Sequence, residues 1–145
     1  MLTASTPKLQ LITTTVDGDP EHRVHVEFPI NVHTGSADSA VVYFEIDPGD
    51  KLATHTDSAE EILYVVQGEA EAHAGEERGR LVAGDLAVIP AMVPHGVRNI
   101  GDTRLKVVGF FSEARIISEF ASNIQPVGAS VLEMGAAPPA AVEAA

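Results

Sequence analysis

The sequence predicts an all-β domain, a sandwich or a barrel. Three observations carry that expectation. Apolar and polar residues alternate with a period of two over several short segments. Turn signals built on Gly, Asp and Pro interrupt the chain at regular, short intervals. Only one stretch, Ser112 to Ser122, fits helical spacing at all. At 145 residues the chain has the length of one domain and enough mass to bury a core.

Taken in order, Leu9 to Val16 alternates weakly and reads as an edge strand stopped by the turn Asp17-Gly18-Asp19-Pro20. Arg23 to Ile30 alternates cleanly, with Val24, Val26, Phe28 and Ile30 on one face and Arg23, His25 and Glu27 on the other. Ala40 to Ile46 is a dense apolar strand, followed by the turn Asp47-Pro48-Gly49-Asp50. Glu61 to Gln67 is a strand with Leu63 and Val65 on the Glu61 face, and Gly68 permits the tight hairpin into Glu69 to Ala74. Further strands follow at Gly79 to Val82, Leu86 to Ile89, His95 to Ile100 and Leu105 to Phe111. For Ser112 to Ser122 the expectation is a short helix or an extended edge segment, because Ile116, Ile117, Phe120 and Ile124 suit either. A final strand is expected within Gln125 to Met134. Residues 1–134 read as a single domain and Gly135 to Ala145, rich in Ala and Pro, as a mobile tail.

Composition narrows the function classes. Apolar residues make up 45 % of the chain, too many for a disordered protein. No apolar run approaches the ~18–20 residues of a membrane span. Met1 to Gln10 lacks a signal pattern, so the expectation is a soluble, cytoplasmic protein. The net charge of −12 and the lack of a basic patch make nucleic acid an unsuitable partner. With no Cys, disulfides and thiolate metal sites are excluded.

The chemistry concentrates in Gly49 to Gly68. His55, Asp57 and Glu61 share parity, so in an extended run they project to one side. Imidazole and carboxylates on one face are what a divalent metal requires. His95, some thirty residues on, could complete the set. Glu60 has the wrong parity and reads as a solvated rim charge. There is no nucleophile elbow and no phosphate-cradling glycine loop before a helix.

These residues resemble the two motifs of the cupin superfamily. Gly49, His55, Glu61 and Gly68 stand at the spacing of the first motif, with Asp57 where its second His belongs. Gly84, Pro90, His95 and Asn99 match the second, with Met92 in place of its middle Gly. The resemblance implies a double-stranded β-helix, or jelly-roll, barrel holding one metal ion inside. It also implies a homodimer, paired through outer barrel faces and N-terminal strands.

His55, Asp57, Glu61 and His95 are the expected ligands. Asp57 either ligates or stops short and holds a water. If it ligates, two carboxylates cancel the charge of a divalent ion and favour harder metals. If not, His55, Glu61 and His95 form a two-His-one-carboxylate set with open positions. Iron is expected first, with Mn, Ni or Zn as the alternatives. Asp57 and Glu61 are also the candidate proton carriers. Tyr43, Leu63, Met92 and Val97 are the expected pocket residues, with Phe28, Phe44, Phe110 and Phe111 as further candidates. His22, His25 and His73 read as outward-facing surface residues, His33 as a loop residue and Arg98 as a rim charge. The leading functional expectation is a non-haem iron dioxygenase-like enzyme acting on a small organic molecule. The alternatives are a non-redox isomerase, lyase or decarboxylase, and a small-ligand-binding protein without catalysis.

Overall fold

A computed structural model describes residues 1–136. Twelve strands form in chain order: β1 Ile12–Val16, β2 Asp19–Ile30, β3 Ala40–Ile46, β4 Lys51–Asp57, β5 Glu61–Gln67, β6 Glu69–Ala74, β7 Glu77–Val82, β8 Leu86–Ile89, β9 His95–Asn99, β10 Leu105–Phe111, β11 Ile117–Gln125 and β12 Ala129–Glu133. They run in the spatial order β7-β6-β9-β4-β11-β1-β2-β3-β10-β5-β8, with β12 paired to β11. A single parallel pairing between β2 and β4, at His22 and Lys51, ties the two halves of this path together. The architecture is a jelly-roll β-barrel. No helix among the described residues is long and apolar enough to cross a membrane.

Alternation dictates the interior. Along β5, Glu61, Leu63 and Val65 are buried while Ile62, Tyr64 and Val66 are exposed. Along β10, Leu105, Val107, Gly109 and Phe111 are buried. One end of the barrel closes on Ile46, Val65, Ala70, Leu105 and Val107, all with 1 % exposure or less. Burying a side chain of this size contributes ~1.5–3 kcal/mol. Asn99 fastens that end: its amide donates to the carbonyls of Ile46 and Thr103 at 2.8 Å each, and its Oδ1 accepts from Gly101 N–H at 2.9 Å.

Several sequence expectations need correction. The strand expected from Leu9 starts at Ile12 and is not an edge, because β1 pairs with both β2 and β11. Among the described residues the strands with a single neighbour are β7, β8 and β12. Of the two readings of Ser112 to Ser122, the extended one holds. β11 buries Ser118 and Phe120 at period two, while Ile117, which a helix would have shared with them, is exposed. Nor is β11 an edge, since β4, β1 and β12 all pair with it. Among the histidines, His22 is not on the surface. It shares parity with Val24, is 1 % exposed, accepts the Ala53 N–H on Nδ1 (2.9 Å) and donates from Nε2 to Thr14 Oγ1 (3.1 Å). The tail expected over 135–145 lies, beyond Gly135 and Ala136, outside the described residues; Gly135 itself packs against the Asn31 side chain.

Candidate metal centre

The run from His55 to Glu61 does not stay extended. β4 ends at Asp57 and β5 begins at Glu61, and the three residues between carry the chain from one side of the barrel to the other. His55 and Asp57 project inward from β4, next to β9 and β11, while Glu61 projects inward from β5 on the opposite side. His95 opens β9 directly across from His55 in the antiparallel register. The four groups face a common point from three strands. All are buried, between 2 and 8 % exposed.

The geometry favours Asp57. Its Oδ2 lies 3.1 Å from His95 Nε2 and 3.5 Å from His55 Nε2. Ligand atoms of His55, Asp57 and His95 all fall within 4.8 Å of one another. Glu61 joins through His95, its Oε1 being 3.5 Å from His95 Nε2. Donor atoms at right angles about an ion ~2.1 Å away would themselves be ~3 Å apart, so this spacing suits a first-row divalent metal. The Asp that stands in a His position is therefore central to the cluster, and Glu61 borders it.

Tautomers support the same point. His55 Nδ1–H donates to the Ala53 carbonyl (2.8 Å) and His95 Nδ1–H to the Val93 carbonyl (2.9 Å). A carbonyl can only accept, so both Nδ1 atoms carry a proton, and in the neutral imidazoles that a metal requires both Nε2 atoms present lone pairs to the centre. His95 Nε2 is buried without a hydrogen-bond partner; Asp57 is near it but not along a hydrogen-bonding direction. With His95 neutral, that buried nitrogen has no donor, a cost of about 1–3 kcal/mol that a coordinated cation would remove. The donor set fits a divalent metal.

Supporting contacts hold the groups in place. The Ser118 hydroxyl donates to Asp57 Oδ1 at 2.6 Å, leaving Oδ2 free to face the histidines. The Phe120 ring stacks on His55, with centroids 4.7 Å apart and planes 14° apart. Gly109 makes room for Glu61: a Cβ there would overlap the Glu61 carboxylate and approach Val42 Cγ1 to 2.8 Å. Ser118, Gly109 and His22 escaped the sequence reading. Parity with Phe120 and Val24 marks Ser118 and His22 as inward, and a glycine inside an apolar strand signals a close approach.

Electrostatics separate the two carboxylates. Burial pushes Asp57 up, but the contacts from His55, His95 and Ser118 outweigh it and hold the carboxyl below the usual range. Burial raises Glu61, and the Asp57 charge adds to that, with His95 and, more weakly, His55 opposing. Burial disfavours the His95 cation, yet Asp57 and Glu61 push its pKa up to about 10 in the metal-free protein.

Beside the cluster lies a cavity of about 90 Å³, bounded by Val24, Val26, Phe28, Val42, Phe44 and Phe111 together with residues of β11 and β12. The expected pocket residues are elsewhere. Tyr43 points away from Val42 and Phe44, and its hydroxyl donates to Glu45 Oε2 at 2.6 Å. Leu63 and Val97 are packed into the core. Met92 is 60 % exposed, at φ 65°, the left-handed backbone that a glycine would adopt freely. Its side chain points into solvent, and its N–H donates to the Asp57 carbonyl at 2.8 Å. Of the further candidates Phe28, Phe44 and Phe111 border the cavity, whereas Phe110 is exposed. His33 does not border it and approaches Glu133 Oε1 at 3.3 Å.

Comparison with known proteins agrees with this geometry. The family described as the Cupin domain matches residues 42–111, which hold all four groups, and the structural neighbours are cupin-fold proteins. Its fold is similar to a candidate sugar phosphate isomerase from Acidithiobacillus ferrooxidans, at TM-score 0.63 and 18 % identity over 83 % of this chain and 80 % of that one. It is similar to oxalate decarboxylase of Lactobacillus farciminis, solved as a formate complex, at TM-score 0.62 and 25 % identity over 72 % of this chain and 31 % of that one. Bacillus subtilis oxalate decarboxylase, described with Mn(II) centres, gives TM-score 0.62 and 19 % identity over 73 % of this chain and 29 % of that one. The chain thus matches less than a third of the length of each decarboxylase. A comparison with curated protein sequences found no match.

Proposed function

We propose that this chain is a mononuclear metal-dependent oxidoreductase of dioxygenase type, acting on a small organic molecule. The observation that carries the reading is the buried Nε2 of His95, which has no hydrogen-bond partner and is flanked by His55, Asp57 and Glu61, three groups that border the cavity. His55, Asp57 and His95 would hold the ion, with Glu61 as a fourth ligand or as a base. Iron is the expected metal, with Mn, Ni or Zn as the other candidates. Bound there, a divalent iron would supply dioxygen activation and a Lewis-acidic grip on a substrate oxygen.

The chain's own residues set the conditions. The Ala53 and Val93 carbonyls orient the imidazoles, Ser118 fixes the Asp57 carboxylate, and the apolar walls exclude water and strengthen the remaining electrostatic contacts. Glu61, raised by burial, is the group able to hold a proton at its Oε1.

That property favours a second reading, a non-redox isomerase or decarboxylase, the activities named for the similar structures, in which Glu61 moves a proton. The deciding experiment purifies the protein without a histidine tag, measures its metal content, and follows oxygen uptake against product formation over a substrate panel. Uptake that tracks turnover upholds the oxidoreductase. Turnover without uptake overturns it in favour of the second reading.

The reading includes a homodimer. The outer face of β10, β5 and β8 exposes Phe110, Ile62, Val88, Tyr64 and Leu86, and β8 leaves one edge unpaired. Two copies meeting there would cover like with like and pair the edges. Sedimentation should give a dimer for the wild type and a monomer for Leu86→Glu; a monomeric wild type overturns the pairing.

A further inference from the structure

The cavity beside the metal cluster selects a ligand by what its walls lack. Among the described residues that line it there is no Lys, Arg, Asn or Gln. The only polar side chains are Thr14 and Ser118, together with His55, Asp57 and Glu61 of the cluster. Thr14 is already engaged: it donates to the Val24 carbonyl at 3.2 Å and accepts from His22. Ser118 is committed to Asp57. Away from the cluster, no side chain of the wall has a hydrogen-bond donor or a positive charge left to offer an anion.

The apolar walls are aromatic out of proportion to the chain. Phe28, Phe44, Phe111 and Phe120 border the cavity, four of the five phenylalanines in the sequence. Aromatic faces favour a flat, unsaturated body through edge and stacking contacts. Val127, at the turn between β11 and β12, is partly exposed and extends the apolar lining toward solvent. The volume of about 90 Å³ is below that of an apolar cavity of ~150 Å³ known to take benzene, so a single ring is the upper bound on the ligand and enters with some yielding of the walls.

Charge argues the same way. With both ionised beside a bound cation, the carboxylates of Asp57 and Glu61 together balance its two charges. The loaded centre then has no net positive charge with which to draw an anion out of water. A carboxylate or phosphate entering these walls would lose its hydration with nothing in return.

We infer that the substrate is an uncharged, apolar molecule of about one ring, carrying a single oxygen donor directed at the His55, Asp57, Glu61 and His95 cluster. A dianion such as oxalate or a sugar phosphate does not fit. The inference names the substrate class of the metal site proposed above and rests on that reading.

The test compares phenol, which is uncharged at neutral pH, with benzoate and oxalate. Binding is read by saturation-transfer NMR and titration calorimetry on the protein as purified and after chelator treatment, alongside metal analysis of each sample. Phenol should bind at least about tenfold more tightly than either anion. Val26→Phe, which fills the cavity from β2, should abolish phenol binding while leaving metal content unchanged; Leu132→Phe serves the same purpose from β12 if the first variant fails to fold. Benzoate or oxalate binding as tightly as phenol overturns the inference, as does phenol binding that survives a folded, filled variant. Protein that binds phenol selectively but retains no metal upholds the ligand class and overturns the metal reading. Protein that retains metal yet binds phenol no better than the anions overturns the ligand class alone.

Discussion

The two ends of the barrel are built from the same strands and finish with opposite chemistry. At one end β3, β5 and β10 bring Ile46, Val65, Leu105 and Val107 together, each with 1 % exposure or less. At the other end the same β5 and β10 finish at Glu61 and Phe111, beside His55, Asp57 and His95. One end stabilises by exclusion of water. The other concentrates four titratable groups and an unpartnered nitrogen in a site that is costly without a cation. The packed end thus supplies the stability that lets the functional end be held in an unfavourable arrangement.

The comparison can be broken at either end. His95→Ala should have the largest effect on function: metal retention, read by elemental analysis, should fall by at least ~10–100-fold, while the far-ultraviolet circular dichroism of the strands persists. Wild-type metal content in that variant would remove the case for a centre. Leu105→Ala should do the reverse. Truncation at a site with no exposure should cost ~2–5 kcal/mol in denaturant unfolding, with metal stoichiometry unchanged in the folded fraction.

Gly109→Ala sharpens the boundary between the two ends, because it lies on β10 between Val107 and Phe111. The added methyl would displace the Glu61 carboxylate and press on Val42. A stability loss of ~1–3 kcal/mol is expected, together with weakened metal retention. Loss of stability with metal affinity intact would show that Glu61 is not part of the ligand set.

The smallest effect concerns His22, which lies between the ends. Burial lowers its pKa from the ordinary 6.5 to about 4, and protonation would break the bond that Nδ1 accepts from Ala53 N–H. Between those values the unfolded chain binds more protons at this site than the folded one, so the folded-state pKa is depressed. Its contribution is complete above about pH 6.5 and is lost as the pH falls toward 4. Thermal unfolding of wild type and His22→Asn across that window should show a shallower acid dependence in the variant. Parallel curves would mean that His22 is not held neutral.

Much of the candidate site was legible in the chain because groups able to hold a metal are specific residue types, which stand here at short, strand-compatible spacing. His55, Asp57, Glu61 and His95 were visible for that reason, and so was the all-β class, through alternation and turn residues. Ser118 was not, because its link to Asp57 spans 61 residues of sequence and exists only through the pairing of β4 with β11. The pocket was misread for a related reason. Tyr43, Leu63 and Val97 are apolar and close in sequence to the site, yet parity and strand position put them in packed regions.

By itself the sequence determined which groups are available: two imidazoles and two carboxylates, a chain free of thiols, and a set of short alternating strands that must bury one face each. Residue type and period two are local properties, and they survive without knowledge of partners. Only the tertiary structure decided that Asp57 rather than Glu61 lies at the middle of the cluster, that the His95 nitrogen is left unpaired, and that four phenylalanines wall one cavity. Those outcomes depend on which strands become neighbours and in what register, and that is set by the closure of the whole barrel.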